Sequence, residues 1–116
     1  MRLAIVGSRT FNDYDLLLST MSLFFEAHNQ FGTLISGGAK GADSLGEKWA
    51  RYWGIEIVRY PPEWDKYGKA AGFFRNQQIV GSCDMVLAFW DGKSRGTADT
   101  IEKAKKAKKP TFIVYF

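Results

Sequence analysis

Residues 34–43, LISGGAKGAD, decide the fold of this 116-residue chain. A short apolar run ends in Gly37 and Gly38, and a helical pattern begins almost at once, at Asp43. This order is typical of a strand whose carboxyl end leads into the N-terminus of a helix. Free N–H groups and the positive end of the helix dipole bind anions there, and glycine lets a ligand approach the main chain. The stretch therefore predicts an anion site, and the usual anion at such sites is phosphate.

The rest of the chain repeats the alternation of strand and helix. Apolar runs predict strands at residues 3–6, 33–35, 55–58, 85–90 and 111–115. Helical spacing predicts one helix that begins at an Asn12 or Asp13 cap and others at residues 43–53, 69–80 and 97–108. Strands separated by helices predict an α/β fold, a doubly wound sheet of about five mostly parallel strands with helices on both faces. Residues 1–116 are expected to form one domain.

Two helices and one loop carry more detailed predictions. The first helix is expected to turn one face inward, formed by Tyr14, Leu17, Leu18, Met21, Phe24, Phe25 and His28. Leu16 and Leu23 lie off that face, which suggests a surface covered by a second copy. The second helix is expected to direct Leu45, Trp49 and either Tyr52 or Trp53 inward. Two prolines make residues 60–64 an ordered loop.

Composition and charge restrict the class of protein. The chain carries a formal charge of +4, one cysteine and one histidine. Cys83 has no partner for an internal disulfide, which favours a reducing cytoplasm, and a single Cys with a single His argues against a zinc site. No apolar run reaches the length of a membrane span, and the first residues do not resemble a signal peptide. We therefore expect a cytoplasmic protein with no metal and no membrane partner.

A cluster of lysines marks the end of the last predicted helix. Its members are Lys103, Lys105, Lys106, Lys108 and Lys109. Such a run attracts nucleic acid. Cations are also stabilised at the C-terminal end of a helix dipole, so a solvated helix face explains the same residues. We favour the second interpretation.

Three loops that follow predicted strands contain glycine. They are Gly7-Ser8-Arg9, residues 37–41 and residues 92–97. The carboxyl ends of parallel strands meet at one edge of a sheet, and ligands bind there where the strand order reverses. Their convergence on one edge predicts a ligand site more strongly than any single loop does.

The order of these motifs resembles a known superfamily. Residues 36–43 are similar to the Ser-Gly-rich, Gly-x-Asp loop of the SLOG superfamily, the Rossmann-like group that joins the DNA-processing protein A (DprA) proteins to the "Lonely guy" (LOG) proteins. Gly7-Ser8-Arg9, Phe74-Arg75-Asn76 and Gly96-Thr97 stand where that superfamily has its other motifs. Nearly the whole chain resembles small stand-alone, YspA-like members encoded by phages and bacteria. The resemblance implies a Rossmann-like fold and a nucleotide-type ligand, with no cofactor required.

The resemblance also implies roles for individual residues. Backbone N–H groups of Gly37, Gly38 and Ala39 would hold a phosphate, and the loop from Ser94 to Thr97 would hold another phosphate or the ribose. Arg9 and Arg75 would contact phosphate oxygens, Asp43 would receive a ribose hydroxyl, and Trp90 and Trp64 are candidates to stack on a base. The complete set of candidate ligand-binding residues is Gly7, Ser8, Arg9, Ser36, Gly37, Gly38, Ala39, Gly41, Asp43, Arg75, Asn76, Trp90, Ser94, Arg95, Gly96 and Thr97.

Several of these residues also have a purely structural interpretation. Asp43 is equally a favourable carboxylate in the first turn of a helix, and Ser8 is equally a cap. Trp90 is the last residue of an apolar strand and Trp64 adjoins two prolines, so packing accounts for both. Arg75-Asn76 could be surface residues, although an arginine on an otherwise apolar helix is better explained by an anion. His28 and Cys83 are interpreted as structural.

The enzymatic alternative depends on one position. LOG proteins cleave the N-glycosidic bond of nucleoside monophosphates with an arginine and the last glutamate of a Pro-Gly-Gly-x-Gly-Thr-x-x-Glu motif. Here Gly96-Thr97 matches, Arg75 stands for the arginine, and Thr100 occupies the glutamate position. Threonine cannot replace a carboxylate as base or as stabiliser of a cation. A nucleotide hydrolase of this type would use another carboxylate, so its candidate catalytic residues are Arg75, Asp43 and Asp91.

Binding without cleavage needs fewer assumptions. The resemblance implies a sensor or sequestering protein for a nucleotide or nucleotide-derived signal, held at the carboxyl edge of the sheet. Single-stranded DNA binding, as in the DNA-processing proteins, is the second alternative and would use the lysine cluster. The family resemblance, with Leu16 and Leu23, also predicts a homo-oligomer.

Overall fold

Five parallel strands form a single sheet in the order β3-β2-β1-β4-β5 in this computed structural model, which describes residues 1–27 and 32–116. The strands are β1 (Arg2–Gly7), β2 (Thr33–Ser36), β3 (Glu56–Arg59), β4 (Met85–Trp90) and β5 (Thr111–Tyr115). The helices are α1 (Tyr14–Ala27), α2 (Ala42–Tyr52), α3 (Trp64–Tyr67), α4 (Ala71–Ser82) and α5 (Arg95–Lys106), with a 3₁₀ turn at Gly68–Ala70 between α3 and α4. The doubly wound, Rossmann-like α/β prediction is confirmed.

Both faces of the sheet are covered, which explains the continuous apolar runs of its central strands. Alternate residues of a strand point to opposite faces. Leu3 and Ile5 of β1 pack with α1 and α2 in one cluster, and Ala4 and Val6 pack with α4 and α5 in the other. A polar residue in the middle of these strands would therefore be buried on either face.

The strand order reverses between β1 and β4. The chain moves outward from β1 through β2 to β3, with α1 and α2 on one face, and then returns to β4 with α4 on the other face. β1 and β4 are hydrogen-bonded neighbours whose connections leave in opposite directions. This arrangement opens a crevice at their carboxyl ends, which is where ligands bind in open α/β sheets.

The detailed helix predictions are partly wrong. Leu17, Met21 and Phe24 are buried as expected, but Leu18 is exposed and Leu16 packs against the core. Leu16 therefore gives no support to a surface covered by a second copy, whereas Leu23 is 68% exposed. The side chain of Phe25 and all of His28 lie outside the described residues.

The second helix and the proline loop differ from prediction at their ends. Trp49 is buried, but Tyr52 and Trp53 are both exposed because the helix ends there, beyond the cover of the sheet. Residues 60–63 form a loop as predicted, whereas Trp64 begins α3 directly after it. The first helix begins after Asp13, whose Oδ1 accepts the Leu16 N–H at 3.0 Å, so Asp13 is its cap.

Two side observations concern burial and the membrane. Cys83 is buried, and burial raises the pKa of its thiol. None of the helices in the described ranges is long and apolar enough to cross a membrane.

Candidate functional site

A cavity of about 410 Å³ lies at the carboxyl ends of β1 and β4, where the strand order reverses. We call it the switch-point cavity. Its walls are Val6, Gly7, Ser8, Arg9, Thr10, Ala39, Asp43, Arg75, Asn76, Ile79, Asp91, Ser94, Gly96, Thr97 and Thr100. All three glycine-containing loops contribute to it, as the sequence predicts. Its volume lies within the range of about 300–1,000 Å³ that small-molecule sites usually have.

Ser8 joins the ends of β1 and β4 beneath this cavity. Its N–H donates to the Phe89 carbonyl at 2.9 Å, and its Oγ accepts the Asp91 N–H at 3.2 Å. The residue is fully buried. A Cβ at the preceding Gly7 would overlap the Phe89 carbonyl oxygen, so only glycine permits this approach of the two strands. The structure therefore favours the structural interpretation of Ser8.

The N–H groups of the central glycine loop already have acceptors within the protein. Gly38 N–H donates to Ser36 Oγ at 3.1 Å, and Ala39 N–H donates to Asp43 Oδ2 at 3.2 Å. The Gly37 N–H also acts on the Asp43 carboxylate. Asp43 thus occupies the place that the resemblance gives to a phosphate. An anion could use these donors only if Asp43 and Ser36 released them.

Asp43 is a buried carboxyl group that faces the cavity. Burial raises its pKa to about 6, although the Ala39 N–H and the Arg75 guanidinium oppose the shift. Glu47 lies one helical turn further along α2 and adds to the rise by repulsion. A carboxyl with a pKa near neutrality is suited to giving or taking a proton.

We expect Asp43 to make the protein less stable as the pH rises. The unfolded pKa is near 3.8 and the folded pKa is about 6, so the folded state binds more protons between those values. Stability that is fully present below about pH 4 should be lost by about pH 7, by an amount of about 3 kcal/mol. Asp43→Asn lacks this titration. Urea unfolding across that pH range should show its stability rising relative to wild type.

The matched control is Asp15→Asn, an exposed aspartate in the first turn of α1. Burial is the main cause of the Asp43 shift, so removal of this exposed carboxylate should not reproduce the rise. A flat difference for Asp43→Asn would mean that the Asp43 carboxyl titrates normally.

Arg75 links helix α4 to the glycine loop. Its Nη1 donates to the Gly37 carbonyl at 3.0 Å, and its Nε donates to Asn76 Oδ1 at 3.0 Å. Burial lowers the pKa of Arg75, Asp43 opposes the shift, and the nearby Arg9 adds to it. Two guanidinium groups that repel one another beside a cavity favour an anion between them.

Asn76 fixes the position of helix α5 relative to α4. Its buried amide donates to the Gly96 carbonyl at 3.2 Å and to Asp99 Oδ2 at 3.1 Å. Asn76 therefore orients the loop opposite Arg75, although it also lines the cavity.

The β4 loop ends in the open N-terminus of α5. Asp91 Oδ1 accepts the N–H groups of Lys93 and Ser94, both at 2.8 Å, and these bonds hold the Asp91 pKa below its usual value. Ser94 caps the helix by accepting the Thr97 N–H at 3.5 Å. The first N–H groups of a helix have no acceptor inside it, so those of Arg95 and Gly96 stay available to a ligand in the described structure.

The Thr100 side chain points back to its own helix. Its Oγ1 donates to the Gly96 carbonyl at 3.2 Å, and the residue is buried at the cavity wall. The Asp91 carboxylate already accepts hydrogen bonds from the backbone of its own loop. Of the two candidate carboxylates, Asp43 alone combines burial with a raised pKa.

A second cavity of about 630 Å³ lies on the other side of the glycine loop. Its walls are Arg9, Gly37, Gly38, Ala39, Lys40, Ser44, Glu47, Arg59, Pro61, Pro62, Trp64 and Arg75. Arg9, Ala39 and Arg75 line both cavities. Trp64 therefore lies at the second cavity, whereas Trp90 and Arg95 line neither of the two.

Trp90 is held by its own loop. Its indole N–H donates to the Ser94 carbonyl at 3.1 Å, and its ring packs on Tyr115 with centroids 5.7 Å apart. The packing interpretation of Trp90 is the one that the structure favours. Gly41 lines neither cavity and instead touches the Ser8 and Arg9 backbone.

Glu47 and Arg59 are two residues of the site that the sequence pattern did not predict. Glu47 is buried, its Oε2 accepts the Ser36 hydroxyl at 2.7 Å, and its Oε1 accepts the Arg59 Nε–H at 2.8 Å. Burial raises the pKa of Glu47, but the hydrogen bonds from Arg59 and Ser36 outweigh it and hold the pKa below its usual value. The spacing of four residues from Asp43 puts Glu47 on the same helix face and was a usable signal.

None of the lysines of the cluster lines either cavity. Lys103 pairs with Asp99 and Lys106 with Glu102, each one turn earlier on α5. Lys109 Nζ donates to the Val80 and Cys83 carbonyls, both at 2.6 Å. No group of three or more His, Cys, Asp or Glu side chains that could hold a metal ion occurs among residues 1–27 and 32–116.

Comparison with known proteins gives consistent relatives. A family model described as the YspA, cpYpsA-related SLOG family matches residues 1–67. The Gene 61 protein of Mycobacterium phage D29 is 35% identical over 116 residues, covering 91% of this chain and 90% of that protein. DNA processing protein A (DprA) from Streptococcus pneumoniae is similar in structure, with a TM-score of 0.76 and 22% identity over 97% of this chain. The chain spans 49% of the DprA chain, and this likeness concerns the fold.

Proposed function

Because the chain belongs to the YspA, cpYpsA-related SLOG family, we propose that it binds a nucleotide or nucleotide-derived ligand in the switch-point cavity. The observation that carries this proposal is the meeting of Arg9, Arg75 and the open N-terminus of α5 around one cavity. Each of these is a phosphate-binding feature, and together they surround a volume of small-molecule size.

The phosphate is expected beside Arg75 and the first turn of α5 and not on the glycine loop. The Gly37–Ala39 donors are engaged by Asp43 and Ser36. Among the described residues, no carboxylate lies at hydrogen-bond distance from the N–H groups of Arg95 and Gly96 or from the guanidinium of Arg75. Asp43 then faces the sugar, where a carboxyl group accepts a ribose hydroxyl hydrogen bond.

The direct test is mass spectrometry of small molecules released from freshly purified, heat-denatured protein. A sensor or sequestering protein should release an intact nucleotide in an amount that approaches one per chain. Protein stripped of that ligand should bind the same compound again in calorimetry. Empty extracts, together with no binding of any tested nucleotide by the purified protein, would contradict the proposal.

An N-glycosidase is the second candidate, and the Asp43 environment favours it. A buried carboxyl group with a pKa of about 6 beside an arginine can act as an acid or a base near neutral pH. Such an enzyme would release free base from added nucleotides, and Asp43→Asn would abolish that release while leaving binding. Bound nucleotide that is recovered without any free base would favour the binding protein.

Single-stranded DNA binding has weaker support in the described residues. Lys103, Lys106 and Lys109 have partners within the protein, and no lysine of the cluster lines either cavity. Binding by surface lysines would weaken steeply with salt. The affinity for a nucleotide that is held in a cavity by a few fixed contacts should depend far less on the salt concentration.

A further inference from the structure

The second cavity is joined to the switch-point cavity through shared residues. Arg9, Ala39 and Arg75 line both, so the two guanidinium groups stand at the boundary between them. A phosphate bound at this boundary would have open space on both sides. A mononucleotide would fill the switch-point side and leave the second cavity empty.

The second cavity has a positive lining. Its cationic side chains are Arg9, Lys40, Arg59 and Arg75, and its one carboxylate is Glu47. That carboxylate is already bound to the Ser36 hydroxyl and to Arg59. The excess of positive charge favours an anionic group.

Arg59 is held in a fixed orientation at this wall. Both its Nε and its Nη2 donate to Glu47 Oε1. The third guanidinium nitrogen, Nη1, has no partner among the described residues. A side chain fixed in this way loses little freedom when it binds a ligand, so it adds more to affinity than a mobile one.

The same cavity has an aromatic side chain in its wall. Trp64 is 54% exposed at the start of α3 and adjoins Pro61 and Pro62 in the cavity lining. No aromatic ring packs on it among the residues that the structure describes. An exposed indole beside an arginine-rich groove is suited to stacking on a planar ring such as a nucleobase.

From this arrangement we propose that the ligand is a dinucleotide, with one nucleoside in the switch-point cavity and the other stacked on Trp64. Its phosphates carry the negative charge of the ligand and bind where the two cavities meet. Arg75 and the first turn of α5 hold them on one side, and Arg9, Arg59 and Lys40 hold them on the other. This inference rests on the proposed nucleotide-binding function and adds the ligand class. Pyrophosphate-linked and 3′–5′-linked dinucleotides share this chemistry.

The test compares affinities in calorimetry for ligand-free protein. The probes are the ribonucleoside monophosphates, the corresponding dinucleotides with each linkage, and a short oligothymidylate. We expect at least one dinucleotide to bind about tenfold or more tightly than its mononucleotide, since stacking of one base contributes on that scale. The dinucleotide with the higher affinity shows whether the ligand is pyrophosphate-linked or 3′–5′-linked.

Two variants test whether the second cavity is responsible for the higher affinity of the dinucleotide. Trp64→Ala and Lys40→Ala should each reduce dinucleotide affinity and leave mononucleotide affinity unchanged. The matched controls are Trp53→Ala at the end of α2 and Lys105→Ala near the end of α5, both exposed and remote from this cavity. Because Trp64 and Lys40 are themselves exposed, the variants should fold normally.

Three other results would contradict the dinucleotide proposal, and they can be distinguished from one another. A dinucleotide that binds no more tightly than its mononucleotide would overturn the two-part ligand and leave the proposed function standing. Failure of every nucleotide to bind would remove both. An oligothymidylate that binds more tightly than any dinucleotide, with Trp64 required, would assign the second cavity to single-stranded nucleic acid instead.

Discussion

Arg75→Ala is expected to weaken the binding of a phosphate-bearing nucleotide by about 10- to 100-fold. A hydrogen bond to a charged group contributes about 1.5–3 kcal/mol, and each 1.4 kcal/mol corresponds to a factor of ten. Arg75 is half-buried at the junction of the two cavities and retains donors beyond those used by Gly37 and Asn76. Calorimetry with the ligand extracted from the wild-type protein measures this loss.

Arg75→Lys separates charge from geometry. Lysine keeps the positive charge but cannot form two parallel hydrogen bonds to a phosphate, so it should recover only part of the affinity. The matched control is Arg2→Ala. Arg2 is the first residue of β1, so it lies at the opposite end of the strand from the cavity. Equal weakening by Arg2→Ala and Arg75→Ala would indicate a general charge effect and contradict a specific phosphate contact.

Arg75→Ala is expected to lower stability by about 2 kcal/mol, so the binding result is interpreted together with a stability measurement. The variant loses the bonds to Gly37 and Asn76, each worth about 1 kcal/mol, and it removes the positive charge that opposes the rise in the Asp43 pKa. Thermal unfolding of the ligand-free variant provides this check. A variant that unfolds below the assay temperature would be replaced by Arg75→Lys for the comparison.

Gly41→Ala is expected to destabilise the fold by about 2–4 kcal/mol. Gly41 has a φ of +81°, and a Cβ there would overlap the Ser8 carbonyl oxygen and lie 2.8 Å from the Arg9 backbone. Those neighbours are main-chain atoms and cannot rotate away. The two glycine loops would have to separate, and the cavity between them would lose its shape.

Two other glycines provide a graded control. Gly54 has a φ of +67° with nothing near its Cβ position, so Gly54→Ala tests backbone strain alone and should cost about 1 kcal/mol. Gly81 lies in α4 with open space around it, and Gly81→Ala should stabilise the helix by roughly 0.5–1 kcal/mol. Urea unfolding measures all three variants. An equal loss for Gly41→Ala and Gly54→Ala would show that the contact with Ser8 imposes no cost.

The elements of this fold are predictable because each depends on neighbours in the chain. The run at residues 85–90 is apolar throughout and lies between two covered faces, so its strand has the predicted bounds, Met85–Trp90. Helix faces are less predictable. Leu16 and Leu18 exchanged their expected environments because the rotation of α1 is set by its packing on the sheet.

Many of the residues that line the cavity can also be predicted from the sequence. Whether their N–H groups are free to bind a ligand cannot. Strand-end loops converge in any parallel sheet, so Arg9, Asp43, Ser94 and Thr97 could be grouped in advance. Whether a loop N–H is free depends on contacts between distant residues. The Gly37 carbonyl meets Arg75 from a position 38 residues away, and no local pattern contains that distance.

The sequence by itself determined a doubly wound parallel sheet, the edge at which the switch-point cavity lies, and the loops that line it. The spacing of apolar residues and the placement of glycines act over a few residues, so they can be interpreted from the sequence alone. Only the tertiary structure decided that Asp43 occupies the glycine-loop donors and that Glu47 fixes Arg59. It also decided that a second cavity opens beside Trp64. Burial and the pairing of charges are properties of the packed chain, because they depend on which distant groups exclude water from one another.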